Sequence, residues 1–263
     1  MNWWRTTRDL AWPLARKDLQ ARFRGSVLGV AWILIAPLLM VAVYALVFTG
    51  VFKARWPGLG DSTGLPLDYA VRLSVGLLMF SAWSEVFSRA TRLIQEHASL
   101  VKRVIFPLPL LGTSVILAAL GILVLQWVSM AGVWVLLGGR PSVNVWAAPL
   151  AVAWWGLLAL GGVWALSACA CYLRDLQQMV PVALGGLLFV SPVFYPLDAA
   201  PPALQGLLVL NPMAGPIELA RWAWFGQAVD WGFLAGSLLG TLLILTLGRW
   251  VFVRLQPGFA DLV

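Results

Sequence analysis

Residues 27–52 read VLGVAWILIAPLLMVAVYALVFTGVF. No charged residue interrupts this run. At ~1.5 Å per residue it reaches about 39 Å as a helix, enough to cross a hydrocarbon core of ~30 Å with some tilt. Pro37 sits inside the run and, lacking a backbone N–H, is expected to kink it.

The rest of the chain has the same character. Of 263 residues, 61% are apolar and only 11% charged, with a mean hydropathy of +0.86. A soluble domain has roughly 45–50% apolar and about 25% charged residues. So much apolar side chain cannot be hidden from water by folding alone. The composition therefore excludes soluble enzymes, disordered regulators and secreted scaffolds, and indicates a membrane protein.

Further apolar runs lie between polar breaks. A Gly- and Pro-rich loop, KARWPGLGDSTGLPLDYAVR, follows the first span. The second span is expected over 69–89, interrupted by Glu85, which reads as an interfacial carboxylate. A basic loop, SRATRLIQEHASLVKRVIFPLP, leads to a third span over 110–137. The Gly138–Pro141 turn separates it from a fourth over 145–171, which Arg174 and Asp175 follow. A fifth span is expected over 179–195 and a last one over 231–252. Residues 197–230 are broken by Pro201, Pro202, Pro212 and Pro216, so they suit two short half-inserted helices better than a crossing. The expected fold is all-α and integral to the membrane. A six-helix domain occupies 27–252, an amphipathic interface helix 1–26 and a tail 253–263.

Six spans place both termini on one side. On that side lie Arg5, Arg8, Arg16, Lys17, Arg22, Arg24, Arg89, Arg92, Lys102, Arg103, Arg174, Arg249 and Arg254. The other side holds Lys53, Arg55, Arg72, Arg140 and Arg221. The positive-inside rule then puts both termini in the cytoplasm. The same rule accounts for the net charge of +7 without invoking nucleic acid. The first 26 residues are basic but lack an early apolar core, so the first span is expected to serve as its own insertion signal. Within them, Trp12, Ala15, Leu19 and Phe23 share one helical face, with Lys17, Gln20 and Arg24 on another. This is the pattern of a helix lying on a membrane surface.

Catalytic constellations are missing. Lys17, Lys53 and Lys102 are followed by Asp18, Ala54 and Arg103, and none follows a glycine, so no phosphate-binding loop is present. The single histidine, His97, lies in a loop. Cys169 and Cys171 project about 200° apart on a helix and are expected to be small apolar filler. Too few His and Cys residues exist for a metal site. Carboxylates are not clustered for acid–base work, and no inverted repeat of the secondary-transporter type is visible. The chain has spans and a basic face but no engine of its own, which fits a pore-forming subunit powered by another chain.

Four stretches together carry a family resemblance. They are ARKDLQARFRGSVLGVAWILIAPLL, LIQEHASLVKRVIFPLPLL, YLRDLQQMVPVALGGLLFVSPVFYP and LNPMAGPIELARW. In this order they resemble the membrane subunits of ABC exporters for lipid-linked polysaccharides and polyol phosphates, a group that includes the O-antigen, teichoic-acid and capsule exporters. The resemblance implies a homodimer in the bacterial cytoplasmic membrane, docked to two copies of a cytoplasmic ABC ATPase that binds ATP and Mg. It implies no cofactor and no enzymatic activity on this chain. It also implies a coupling helix at Ile94, Gln95, Glu96, His97, Ala98, Ser99 and Leu100, and an outer gate over Pro201–Phe225. The cargo it implies is a polyprenyl-linked glycan, O-antigen first. Teichoic acid, capsule or another ABC export cargo is the alternative, and a membrane-embedded enzyme acting on lipid-linked sugars is a more distant one.

Aromatic faces can stack on the C–H faces of a sugar without gripping one hydroxyl, as a sliding polymer requires. Pro37, Met40, Tyr44 and Phe48 form one helical stripe, and Phe80, Trp83 and Phe87 another. The channel lining expected from these stripes and from the proposed gate is Tyr44, Phe48, Trp83, Phe87, Phe194 and Tyr195. Many of the 16 tryptophans are expected to be interfacial anchors rather than channel lining.

Overall fold

The computed structural model describes residues 11–17, 19–20, 25–51, 56, 66–102 and 107–262, and all regular structure among them is helical. After a 3-10 turn at Gly29–Ala31 come α1 (Trp32–Tyr44), which widens into π-turns over Ala45–Val51, and α2 (Pro66–Ala90). Two single-turn helices follow, α3 (Leu93–Glu96) and α4 (Ala98–Val101). Then come α5 (Pro109–Leu136), α6 (Ala148–Tyr172), α7 (Leu176–Phe189), α8 (Pro202–Leu210), α9 (Ala214–Phe225), α10 (Trp231–Leu255) and α11 (Phe259–Leu262). Among the described residues, five stretches are long and apolar enough to cross a membrane: Gly29–Phe48, Asp68–Ala90, Pro109–Leu136, Val145–Tyr172 and Trp231–Leu262.

The core lies between α2, α5, α6 and α9. It is fastened by tryptophan N–H groups that would otherwise be unsatisfied in an apolar interior. Trp155 Nε1 donates to Met79 O of α2 at 3.0 Å, and Trp164 Nε1 to Pro109 O of α5 at 3.1 Å. Trp134 Nε1 of α5 donates to Asp68 Oδ1 of α2 at 2.8 Å. The anchor reading is therefore confined to exposed tryptophans such as Trp12, Trp146, Trp231 and Trp250, since eight of those among the described residues are core residues. Between α6 and α10 small residues let the backbones meet. A Cβ on Gly248 would overlap the Gly161 carbonyl, and one on Gly161 would sit 2.6 Å from Leu245 Cα. α1 is peripheral, presenting only Ile33, Pro37 and Val41 to the bundle at four-residue spacing.

The structure corrects several sequence expectations. Over the expected fifth span, 179–195, the helix α7 has 14 residues, starting earlier at Leu176 and stopping at Phe189. Its end has a chemical cause. Ser191 Oγ donates back to Leu187 O at 2.7 Å, and Pro192 offers no N–H to continue the ladder. The expected tail at 253–263 is mostly structured, since α10 continues to Leu255 and α11 follows. The helix-capable segment 94–100 is two single turns broken at His97, whose backbone (φ −111°, ψ 28°) leaves the helical region.

Helical residues 11–17 and 19–20 bury Ala11 and Ala15, with Leu19 between the ends of α2 and α5. Trp12 is 62% exposed, because Ala11, Ala15 and Leu19 form the straighter i, i+4, i+8 stripe. Phe23 of that expected face and Arg24 of the opposite one lie outside the described residues, as do residues 1–10, 52–55 and 57–65. Finally, Arg72 and Arg221, counted toward one side of the membrane, are packed within the bundle.

Candidate functional site

The segment between α7 and α10 combines three of the sequence features noted above into one buried polar knot. In α9, Glu218 and Arg221 are three residues apart and so share a face. Arg221 has no exposed surface, and its Nη1 lies 3.1 Å from Glu218 Oε1. The guanidinium also serves the irregular backbone beyond α7. Nη2 donates to Val193 O at 2.6 Å and Nη1 to Tyr195 O at 3.3 Å. Its flat face lies 4.6 Å above the Trp56 ring. The other Glu218 oxygen accepts from Gln227 Nε2 at 3.3 Å.

Asn211 completes the arrangement. Its Nδ2 donates to Val190 O at 2.8 Å and to Ser191 Oγ at 2.7 Å. Its Oδ1 accepts from Met213 N at 2.9 Å, turning the chain from α8 into α9. Three carbonyls freed by the end of α7, those of Val190, Val193 and Tyr195, thus find side-chain donors. An apolar surrounding demands such satisfaction, because each unpaired group costs several kcal/mol. The SPVFYP stretch, the Asn-Pro turn and the Glu-Arg pair are parts of one structure.

Charge is handled similarly one turn of helix away. The Arg72 guanidinium stacks 4.4 Å from the Phe225 ring, and Phe225 packs edge-on against Trp134 at 5.3 Å. Beside the knot, a cleft of about 440 Å³ opens between α8, α9 and the start of α10, with Glu218, Gln205, Asp230 and Phe233 on its walls.

The expected lining residues separate into two groups. Tyr44 and Phe48 are 6.1 Å apart, Phe48 is 5.6 Å from Tyr69, and Tyr69 is 5.7 Å from Trp56. This run of rings ends under Arg221. Phe194 stacks on Phe189 at 5.9 Å, and the Tyr195 hydroxyl donates to Phe189 O at 2.9 Å. Tyr44, Phe48, Phe194 and Tyr195, all half-buried, therefore reach the knot from two directions. Trp83 and Phe87 stand apart. Their rings are 4.2 Å from each other, Trp83 is 4% exposed, and Phe87 fills the space left by Gly162 of α6.

The expected coupling segment packs at the opposite end of α2. Ile94 is buried with Leu93, while Glu96 and Ser99 are exposed and Ala98 and Leu100 half-buried. Gln95 Oε1 accepts from Gln177 Nε2 of α7 at 2.9 Å, and His97 Nδ1 lies 3.0 Å from Leu93 O, bridging the break between the two turns. Asn211, Glu218 and Arg221 were not singled out as functional residues from sequence. Their signal was legible as a carboxylate and a guanidinium at helical spacing inside an apolar stretch, a placement that is costly in a bilayer unless the charges are paired.

Similarity to known proteins places this architecture. Over 190 residues the chain is 31% identical to the O-antigen export system permease protein RfbA of Myxococcus xanthus, covering 72% of this chain and 69% of that one. Two proteins of the same name from Klebsiella pneumoniae are 22% and 23% identical over 257 residues, 97% of this chain and 95% of theirs. Residues 10–225, which include every element from the first helix through the knot, match the family of ABC-2 type transporters. The chain is a multi-pass membrane protein belonging to the ABC-2 type transporter family, as a permease that works with an ABC ATPase.

Proposed function

We propose that this chain is the membrane subunit of an ATP-driven exporter that moves a polyprenyl-linked polysaccharide of the O-antigen type across the bacterial cytoplasmic membrane. The observation that carries the reading is the likeness, along nearly the whole chain, to permeases named for O-antigen export. Two copies enclose the pathway, as the size of the cargo and the common two-fold symmetry of oligomers favour. Each copy docks one ATPase, which holds ATP and Mg, through residues 94–100, where Glu96 and Ser99 are available to a partner.

Both termini are cytoplasmic in this scheme. With Arg72 and Arg221 inside the bundle, only Lys53, Arg55 and Arg140 of the five basic residues first assigned to the outer side belong to its loops. Helix α7 and the irregular residues after it make the fifth crossing, and α8 and α9 form the outer gate. Tyr44, Phe48, Phe194 and Tyr195 line the path next to the knot. Trp83 and Phe87 border it only where α2 and α6 separate.

The test is complementation. Expressed with its ATPase in cells that make lipid-linked O-polysaccharide but lack their own export permease, the chain should bring the polymer to the cell surface. An ATPase unable to hydrolyse ATP should abolish this. Polymer retained inside despite an assembled complex would refute the reading.

A further inference from the structure

The residues after the last span continue helically and pack against the end of α6. Helix α10 leads into a 3-10 turn, Gln256–Gly258, and then into α11. Phe259, the first residue of α11, has no exposed surface. Its ring lies 5.4 Å from that of Phe252 and 6.3 Å from that of Tyr172, at the end of α6. The Tyr172 hydroxyl donates to Leu255 O, at the end of α10, at 2.9 Å. A Cβ on Gly258 would run into that hydroxyl, so the turn is pressed closely against Tyr172. Helix α11 in turn packs on α4, the second half of the expected coupling segment. The first half is tied to α7 by the Gln95–Gln177 bond. Residues 93–101 are thus held between α7 on one side and α11 on the other.

Helix α10 joins the two sites already described. At one end it carries this turn. At the other, Asp230 Oδ1 accepts from Gly232 N at 2.8 Å as its N-cap, and Asp230, Phe233 and Leu234 form one wall of the cleft beside Glu218. Its 25 residues make a rod of about 38 Å.

From this we propose that Phe259 and Tyr172 are positioning residues for ATP-driven export. They keep the turn and α11 seated on Ala98–Val101, so that a displacement of the coupling segment by the ATPase is delivered to α10 and along it to the gate. The proposal rests on the docking and gate assignments made above. Neither residue touches cargo or nucleotide.

The test uses the full permease–ATPase complex in membranes and reads two quantities, the rate of ATP hydrolysis and the polysaccharide exported per ATP. In Phe259→Ala the ATPase should stay bound and hydrolyse ATP, while export per ATP falls by about tenfold, a change within the range of coupling between distant sites. Phe259→Leu, which refills the seat, should recover most of the loss, whereas a hole that merely weakened folding would lower hydrolysis and total export together and leave export per ATP unchanged. Should Phe259→Ala fail to accumulate, Tyr172→Phe removes a single hydrogen bond at constant volume, and export per ATP should still drop. Unchanged export per ATP in Phe259→Ala, or in Tyr172→Phe where that variant must decide, overturns the proposal. Replacement of residues 94–100 by Gly-Ser separates the two levels. Export lost there but unchanged in Phe259→Ala refutes the positioning role and leaves the docking assignment standing. Export unchanged in both refutes the docking assignment and the positioning role with it.

Discussion

Two stretches of this chain have the same mean hydropathy, 1.7, and opposite fates: Val145–Tyr172 is 67% buried across its most apolar window, and Trp231–Leu262 only 17%. They lie side by side, so depth in the membrane does not separate them. In a bilayer, apolar side chains gain nothing by leaving lipid for protein, and helices associate through close packing and polar contacts instead. The stretch containing α6 has what that requires. Gly156, Gly161 and Gly162 admit neighbours, and Trp154, Trp155 and Trp164 donate hydrogen bonds to α10, α2 and the start of α5. Helix α10 offers a narrow strip, with Leu234, Thr241, Gly248 and Phe252 buried and leucines around the rest.

The largest expected effect tests the polar cover that α9 lays over α6. Arg221→Ala removes the guanidinium from Glu218 Oε1, Val193 O and Tyr195 O at once. Removing one member of a buried pair costs about 3–5 kcal/mol, so the solubilised permease should lose its folded peak in size-exclusion chromatography at temperatures the parent survives. Replacing both charges, Arg221→Met with Glu218→Leu, should recover part of that loss, because no lone charge is left behind. Full stability in Arg221→Ala would mean that the knot does not hold the 190–195 segment.

Next in size is the seam between the two helices. In Gly248→Leu the side chain would have to enter the Gly161 carbonyl, and no rotamer avoids the backbone. Overpacking costs about 1–3 kcal/mol and sometimes more, so thermal stability should drop clearly, while Gly240→Leu, with open space at its Cβ, should be tolerated. Equal behaviour of the two variants would erase the distinction between strip and surface. A smaller effect is expected for Trp154→Phe, which keeps most of the packing but leaves Thr241 Oγ1 without its 2.7 Å donor. A net hydrogen bond is worth about 0.5–1.5 kcal/mol, measurable as a modest fall in the unfolding temperature.

The sequence was readable where apolar runs meet charged breaks, and that covers α1, α2, α5, α6 and α10. It misled where one residue overrides the average. Hydropathy continues smoothly past Phe189, but Ser191 and Pro192 stop the helix there, and only the local hydrogen bonding shows it. Arg72 and Arg221 were counted toward one side of the membrane by their positions in the sequence. Their stacking on Phe225 and Trp56 depends on residues distant in sequence. Trp83 was assigned to a lining because a stripe of rings identifies a helical face without identifying its neighbour. The knot was legible in its parts, as an Asn-Pro, a Glu-Arg pair and a Ser-Pro, but their joint geometry requires the turn between α8 and α9.

The smallest expected effect, that of Leu243→Ala, bears most directly on the comparison. Leu158 of α6 and Leu243 of α10 are the same residue type in stretches of the same hydropathy, one 1% and the other 58% exposed. Leu158→Ala opens a cavity inside a close-packed core and should cost about 2–5 kcal/mol. Leu243→Ala trims a side chain that meets only the surroundings of a single chain, where acyl chains refill the space, so its unfolding temperature should match the parent's. Measuring both in detergent and again in lipid nanodiscs separates the possible outcomes. A loss for Leu158→Ala alone supports the division drawn here. A comparable loss for Leu243→Ala would show that its face of α10 is covered in the working assembly. The most direct candidate for that cover is the second copy of the chain, and disulfide crosslinking of Leu243→Cys between subunits would then identify the contact.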